Sequence, residues 1–235
     1  MACARGREDT LSTRTIGAPL IEAAAAVDRP KVRLSEYGFT VLQIETLLAC
    51  NMACSFCAYP LLEDKGARLD DATVLRLLDQ VDPDDPEFEY VCFSHYNEPL
   101  LDDRVFDFLR AARERGLKTL LITNGLALRS PETVERLLSA EPDFIKISFQ
   151  TASRHKFYQS RGTGISYEKY ALTVIDFLRV AQERGGRTKV TVDFACNFMP
   201  WYQRLIRGLL GVEAGDPSVR HDLTSLSPYV VDCVE

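Results

Sequence analysis

The sequence predicts an α/β protein built as a partial (β/α)6 TIM-like barrel with parallel strands. Three observations carry that expectation. From residue 39 onward, short β-branched and apolar runs alternate with segments whose apolar residues recur at helical spacing. The connections between them are short, as in parallel units joined by helical crossovers. The chain has 235 residues, 46% hydrophobic and 26% charged, and a globule of that size buries about 70% of its unfolded surface without disulfides. An open doubly wound sheet satisfies the same alternation. In both architectures the chemistry belongs at the carboxyl ends of the strands.

The elements follow in order. Residues 1–35 lack periodicity: Ala23 to Ala26 favour helix, but Pro30 stops it. They read as a loosely held arm before a core domain over 36–235. The first strand is expected over 39–46, followed by a cysteine loop and a helix over 69–81 capped by Asp70 or Asp71. A second strand over 88–94 leads to a helix over 103–114 that Gly116 stops. The third strand is 118–123, and Ser130-Pro131 opens the next helix. The fourth strand is 144–150. Ser166 caps a long helix over 167–183 that ends at Gly185-Gly186, and strand five is 189–196. A short helix over 201–210 and a sixth strand between 223 and 231 complete the set.

Lys and Arg number 28 against 34 Asp and Glu, a net charge of -6, which argues against an electrostatically driven nucleic-acid binder. No apolar run reaches the roughly 18 residues of a membrane span, and the amino terminus has no signal-peptide core, so the cytoplasm is the expected location. With three histidines and no Gly-x-Ser-x-Gly or His-Glu-x-x-His, hydrolytic triads and zinc peptidases lack support.

Seven cysteines, three of them clustered, make a poor disulfide framework. Cys50, Cys54 and Cys57 form Cys-x3-Cys-x2-Cys directly after the first strand. Three thiolates suit an iron–sulfur cluster with one iron left open for a ligand. Two other readings compete: a structural zinc site completed from Cys92 or His95, and a thiol couple between Cys54 and Cys57. Cys3, Cys92, Cys196 and Cys233 are isolated and read as small buried hydrophobes, as Trp201 and Tyr202 read as core.

The triple-cysteine loop with Phe56 before its third cysteine resembles the signature of the radical S-adenosylmethionine (radical SAM) enzymes over roughly residues 39–200. The resemblance implies that Cys50, Cys54 and Cys57 hold a [4Fe–4S] cluster whose fourth iron is chelated by S-adenosylmethionine. It implies reductive cleavage of that cofactor and hydrogen abstraction by a 5′-deoxyadenosyl radical. Phe56 would then lie near the adenine. Tyr96-Asn97-Glu98-Pro99 is similar to the family's Gly-Gly-Glu-Pro turn, which receives the cofactor's ammonium, with both glycines replaced. Thr123-Asn124-Gly125 is similar to its Thr-Asn-Gly turn, placing Asn124 at the pocket. Ser148 and Gln150 share a strand face and would reach ribose or carboxylate. Arg161-Gly162 and the capped helix after it resemble the subgroup that often carries a SPASM/twitch-type extension, and Arg161 is the partner implied for the cofactor carboxylate. Asp193 and Asn197 are further pocket candidates.

The chain stops soon after the sixth-strand candidate, so it reads either as a minimal core or as a truncated frame. A small-molecule substrate, favoured over a peptide, and a one-electron donor such as flavodoxin or ferredoxin are the expected partners. A noncatalytic zinc or electron-transfer module, a peptide-modifying radical SAM enzyme and an inactive paralogue stay open alternatives.

Overall fold

The computed structural model describes residues 31–195 and the strand at 223–225. Asn197, Trp201, Tyr202, the helix expected over 201–210 and Cys3, Cys196 and Cys233 lie outside the described residues. Six strands form one sheet in consecutive order: β1 (Val41–Gln43), β2 (Tyr90–Cys92), β3 (Thr119–Thr123), β4 (Phe144–Gln150), β5 (Lys189–Ala195) and β6 (Leu223–Ser225). That order settles the two architectures. A doubly wound sheet reverses its strand order part-way across, whereas a barrel wall runs in sequence. β1 to β5 pair parallel, and among the described residues the wall does not close. β6 departs from the all-parallel expectation: it pairs antiparallel with β5, Asp193 opposite Ser225.

Among the described residues, five helices lie between and beside the strands: α1 (Asp71–Gln80), α2 (Val105–Glu114), α3 (Pro131–Ser139), α4 (Arg154–Ser160) and α5 (Tyr167–Arg184). Their starts are set by local chemistry. Asp70, Ser130, Ser153 and Ser166 each accept an amide of the first turn, from Thr73, Thr133, Lys156 and Lys169. Gly116, at φ 77°, turns the chain out of α2. α4, whose segment carries no strong apolar period, was not expected as a helix.

The sheet has two unlike faces. On β4 the residues alternate between buried and half-buried along its whole length. Ile145, Ile147 and Phe149 join Val91, Phe93 and Leu121 in the core beneath the helices. Phe93 stacks on Phe108 of α2, and Phe149 packs on Tyr170 of α5, ring centres 4.9 Å apart. The opposite face is mixed: it carries Gln43, Ser94, Lys146, Ser148 and Asp193 together with Tyr90, Leu120, Ile122 and Phe144. Among the described residues no helix is long and apolar enough to cross a membrane.

Candidate active site

The cysteine loop leaves the carboxyl end of β1, and its root is tied down before the first cysteine. Leu69 N donates to Thr46 O at 3.1 Å and Leu48 N to Ala67 O at 2.8 Å. The Arg104 guanidinium, 6% exposed, donates to Thr46 O and Leu69 O and pairs with Asp102 and Asp71. Cys50 and Cys57 are half-buried and Cys54 is buried. Burial pushes the Cys50 and Cys54 thiols up, and neighbouring acidic groups add to this, Glu98 and Cys57 at Cys50 and the other two cysteines at Cys54. The Arg161 cation opposes the rise at Cys54.

Two strand ends reach the loop. Asn124, after β3, donates its amide to Cys50 Sγ at 3.8 Å and to Asn51 Oδ1 at 2.8 Å. Hydrogen bonds to cluster sulfurs are one of the protein's levers on potential. Arg161, at the end of α4, is 2% exposed, not a solvated surface side chain. Its Nη2 makes long bonds to Asn124 O (3.4 Å) and Tyr170 Oη (3.5 Å), while its Nε is buried without a partner. Among the described residues no carboxylate lies within ion-pair distance of it. A buried cation left unpaired is costly and calls for an anion.

Glu98 lies behind this layer. Its oxygens accept Thr123 Oγ1 at 2.6 Å and the Asn124 amide at 2.6 Å, and its own amide donates to Ala49 O at 2.7 Å. It therefore bolts the turn after β2 to the turn after β3 and to the cysteine loop. Asn97 is buried and occupied locally, accepting from His95 N and donating to Phe93 O. Neither it nor Tyr96 has a positive φ. Ser148 and Gln150 meet in a side-chain hydrogen bond at the end of β4. The register slips there, and Gln150 sits at φ 72°, a strained conformation of the kind that gathers at functional sites. Phe56 is exposed.

Three contributors escaped sequence reasoning. Glu45 Oε1 accepts the amides of Tyr96 and Asn97 at 2.7 and 2.9 Å. Tyr170 donates its hydroxyl to Asn124 O at 2.6 Å, and burial pushes its pKa up to about 12, so it stays a donor. Gly162 lies against Ala53 of the cysteine loop. An open recess of about 380 Å³ beside the loop is lined by Cys50, Tyr59, Lys65 and Gly162 among others.

The donor set bears on the candidate metal centres. Cys92 is buried on β2, donating to Ser94 O at 3.4 Å, and among the described residues no group of three His, Cys, Asp or Glu side chains converges on a single ion. Three soft donors on one loop beside an unpaired cation fit an anionic iron–sulfur cluster, whose ligands bind separate irons.

The family model described as Radical SAM superfamily matches residues 44–196. No curated protein is similar enough to match the chain. Among solved structures, the chain is similar to methylornithine synthase PylB at 19% identity and TM-score 0.51, over 76% of this chain and 51% of that one. It is similar to Streptococcus suis SuiB bound to precursor peptide SuiA at 17% identity and TM-score 0.50, over 85% of this chain and 43% of that one. BtrN in complex with AdoMet and 2-DOIA matches at 16% identity and TM-score 0.43, over 70% and 71%. The chain thus spans about half the length of PylB and less of SuiB. These likenesses concern the fold, whereas the family match runs from the end of β1 across the cysteine loop to the end of β5. The chain belongs to the radical SAM superfamily, enzymes that work with a [4Fe–4S] cluster and S-adenosylmethionine.

Proposed function

We propose that Cys50, Cys54 and Cys57 are the cluster ligands and that the enzyme abstracts a hydrogen atom from a small polar substrate held on the sheet's mixed face. The observation that carries this reading is the unpaired Arg161 guanidinium, buried beside Cys54 where Asn124 also touches Cys50. Arg161 would hold the cofactor carboxylate, with Ser148, Gln150 and Asn124 around it and Phe56 at the rim. Asn97 and Glu98 shape the wall: Glu98 fixes the Asn124 backbone rather than standing free in the pocket. When bound, the cluster and cofactor supply one-electron chemistry and a carbon radical.

Below this layer, Lys146 Nζ lies 3.3 Å from Asp193 Oδ2, the lysine side chain 33% exposed. A charged pair on a parallel sheet, whose faces are ordinarily apolar, supports a small polar substrate over a greasy one. A flavodoxin or ferredoxin is the donor class proposed, the reductant being a general need of the family. The core domain is proposed to run from residue 36.

Electron paramagnetic resonance on anaerobically reconstituted, reduced protein tests the reading. A [4Fe–4S]⁺ signal that changes shape with S-adenosylmethionine, and that Arg161→Met leaves unchanged by the cofactor, is the expected result. Zinc uptake without a cluster signal would overturn it.

A further inference from the structure

The segment that carries Arg161 does more than present a side chain. Its backbone runs against the cysteine loop: Ser55 N donates to Ser160 O at 2.9 Å and Ala53 N to Gly162 O at 3.3 Å. Between these two bonds the Cys54 thiol donates to Arg161 O at 3.5 Å. The carbonyls of Ser160 and Gly162 thus hold the amides on either side of Cys54, while the thiol contact to Arg161 O belongs to the cluster-free protein, because a ligating thiolate has no proton to donate. The approach is closest at Gly162, which adopts φ 54°. A methyl group there would lie 2.7 Å from the Ala53 carbonyl carbon and still nearer its oxygen. Only a residue without Cβ permits this contact.

We propose that residues 160–162 are a main-chain clasp that holds the Cys50–Cys57 loop in its ligating shape, with Gly162 as a positioning residue for the metal centre. This rests on the reading of the three cysteines as cluster ligands. The division of labour is specific. The backbone of 160–162 serves the cluster, and the Arg161 side chain is left for the cofactor. The other end of the loop is held separately, through Asn124 on Cys50. Arg161 Nη2 reaches back to Asn124 O, so the two supports close into a ring around the loop.

Gly162→Ala and Arg161→Met separate the two roles. After anaerobic reconstitution, iron and sulfide are counted, the reduced signal is recorded with and without S-adenosylmethionine, and circular dichroism melts report the fold. Gly162→Ala is expected to melt lower but still cooperatively, and to bind iron roughly tenfold more weakly at temperatures where it is folded, the scale of loss for outer support of a metal ligand. Arg161→Met is expected to keep its iron and lose the cofactor-induced change of signal. Full iron in Gly162→Ala, or equal iron loss in both variants, overturns the clasp.

Should Gly162→Ala not fold, hydrogen exchange on the cluster-free parent decides. Slowed exchange at the Ala53 and Ser55 amides supports the clasp, and exchange at free-amide rates overturns it. A parent that takes up no cluster at all contradicts the ligand reading itself, a separate failure.

Discussion

The Glu98 carboxylate is 2% exposed, and burial pushes its pKa up to about 7 despite the hydrogen bonds from Thr123, Asn124 and Leu100 that pull it down. In the unfolded chain it titrates near 4.5. Between those values the folded protein binds more protons than the unfolded one, so stability is fully present below pH 4.5 and is lost as pH rises to about 7. The loss amounts to about 3 kcal/mol. Glu98→Gln should remove this slope, which urea midpoints at pH 5 and pH 8 would show; an equally steep slope in the variant contradicts the assignment. The residues that the sequence singles out are those with a local signature, chiefly the cysteines and Arg161. Glu45, Tyr170 and the role of Gly162 are not among them, because each acts on a partner far along the chain. Glu45 serves amides 51 and 52 positions away. Tyr170 sits in a helix pattern that reads only as core.

At the scale of elements, the caps were legible and the strand lengths were not. Asp70, Ser130 and Ser166 start their helices as the sequence predicts, because capping depends on three or four adjacent residues. β1, expected over eight residues, keeps three, Val41–Gln43; β-propensity says nothing of where a neighbour ends. Arg104, just ahead of α2, joins that helix to the amino end of α1 and to the root of the cysteine loop. Its partner Asp102 is nearly inaccessible; burial favours the neutral acid, but Arg104 outweighs this and holds the carboxyl below its usual range. Arg104→Met strands that charge and should cost about 3–5 kcal/mol in urea unfolding. Adding Asp102→Asn should recover part of it. A variant as stable as the parent would show that the junction is held elsewhere.

For the whole molecule, the alternation of elements made the α/β class legible, and the cysteine loop selected the barrel. Nothing local distinguished an antiparallel last strand from a parallel one. Once formed, the wall has a core face against the helices and a mixed face on the other side, which carries the Lys146–Asp193 pair. Ile145 and Lys146 are neighbours on β4 that point opposite ways. Ile145→Ala should therefore cost about 2–5 kcal/mol. The Lys146→Gln/Asp193→Asn double variant, which removes both charges, should stay within about 1 kcal/mol of the parent. Equal losses in denaturant titrations would mean that both faces are structural.

A wall that stops short of closing keeps two rims. β1 offers three residues at one, and at the other β6 covers β5 only from Asp193 to Ala195. Among the described strands, the edge of β5 left without a partner is the short run that begins with the exposed Lys189. Short rims, one of them carrying a lysine, are poor templates for a foreign strand. Among the described residues, then, neither rim is the long, flat, apolar edge that recruits a strand from another molecule.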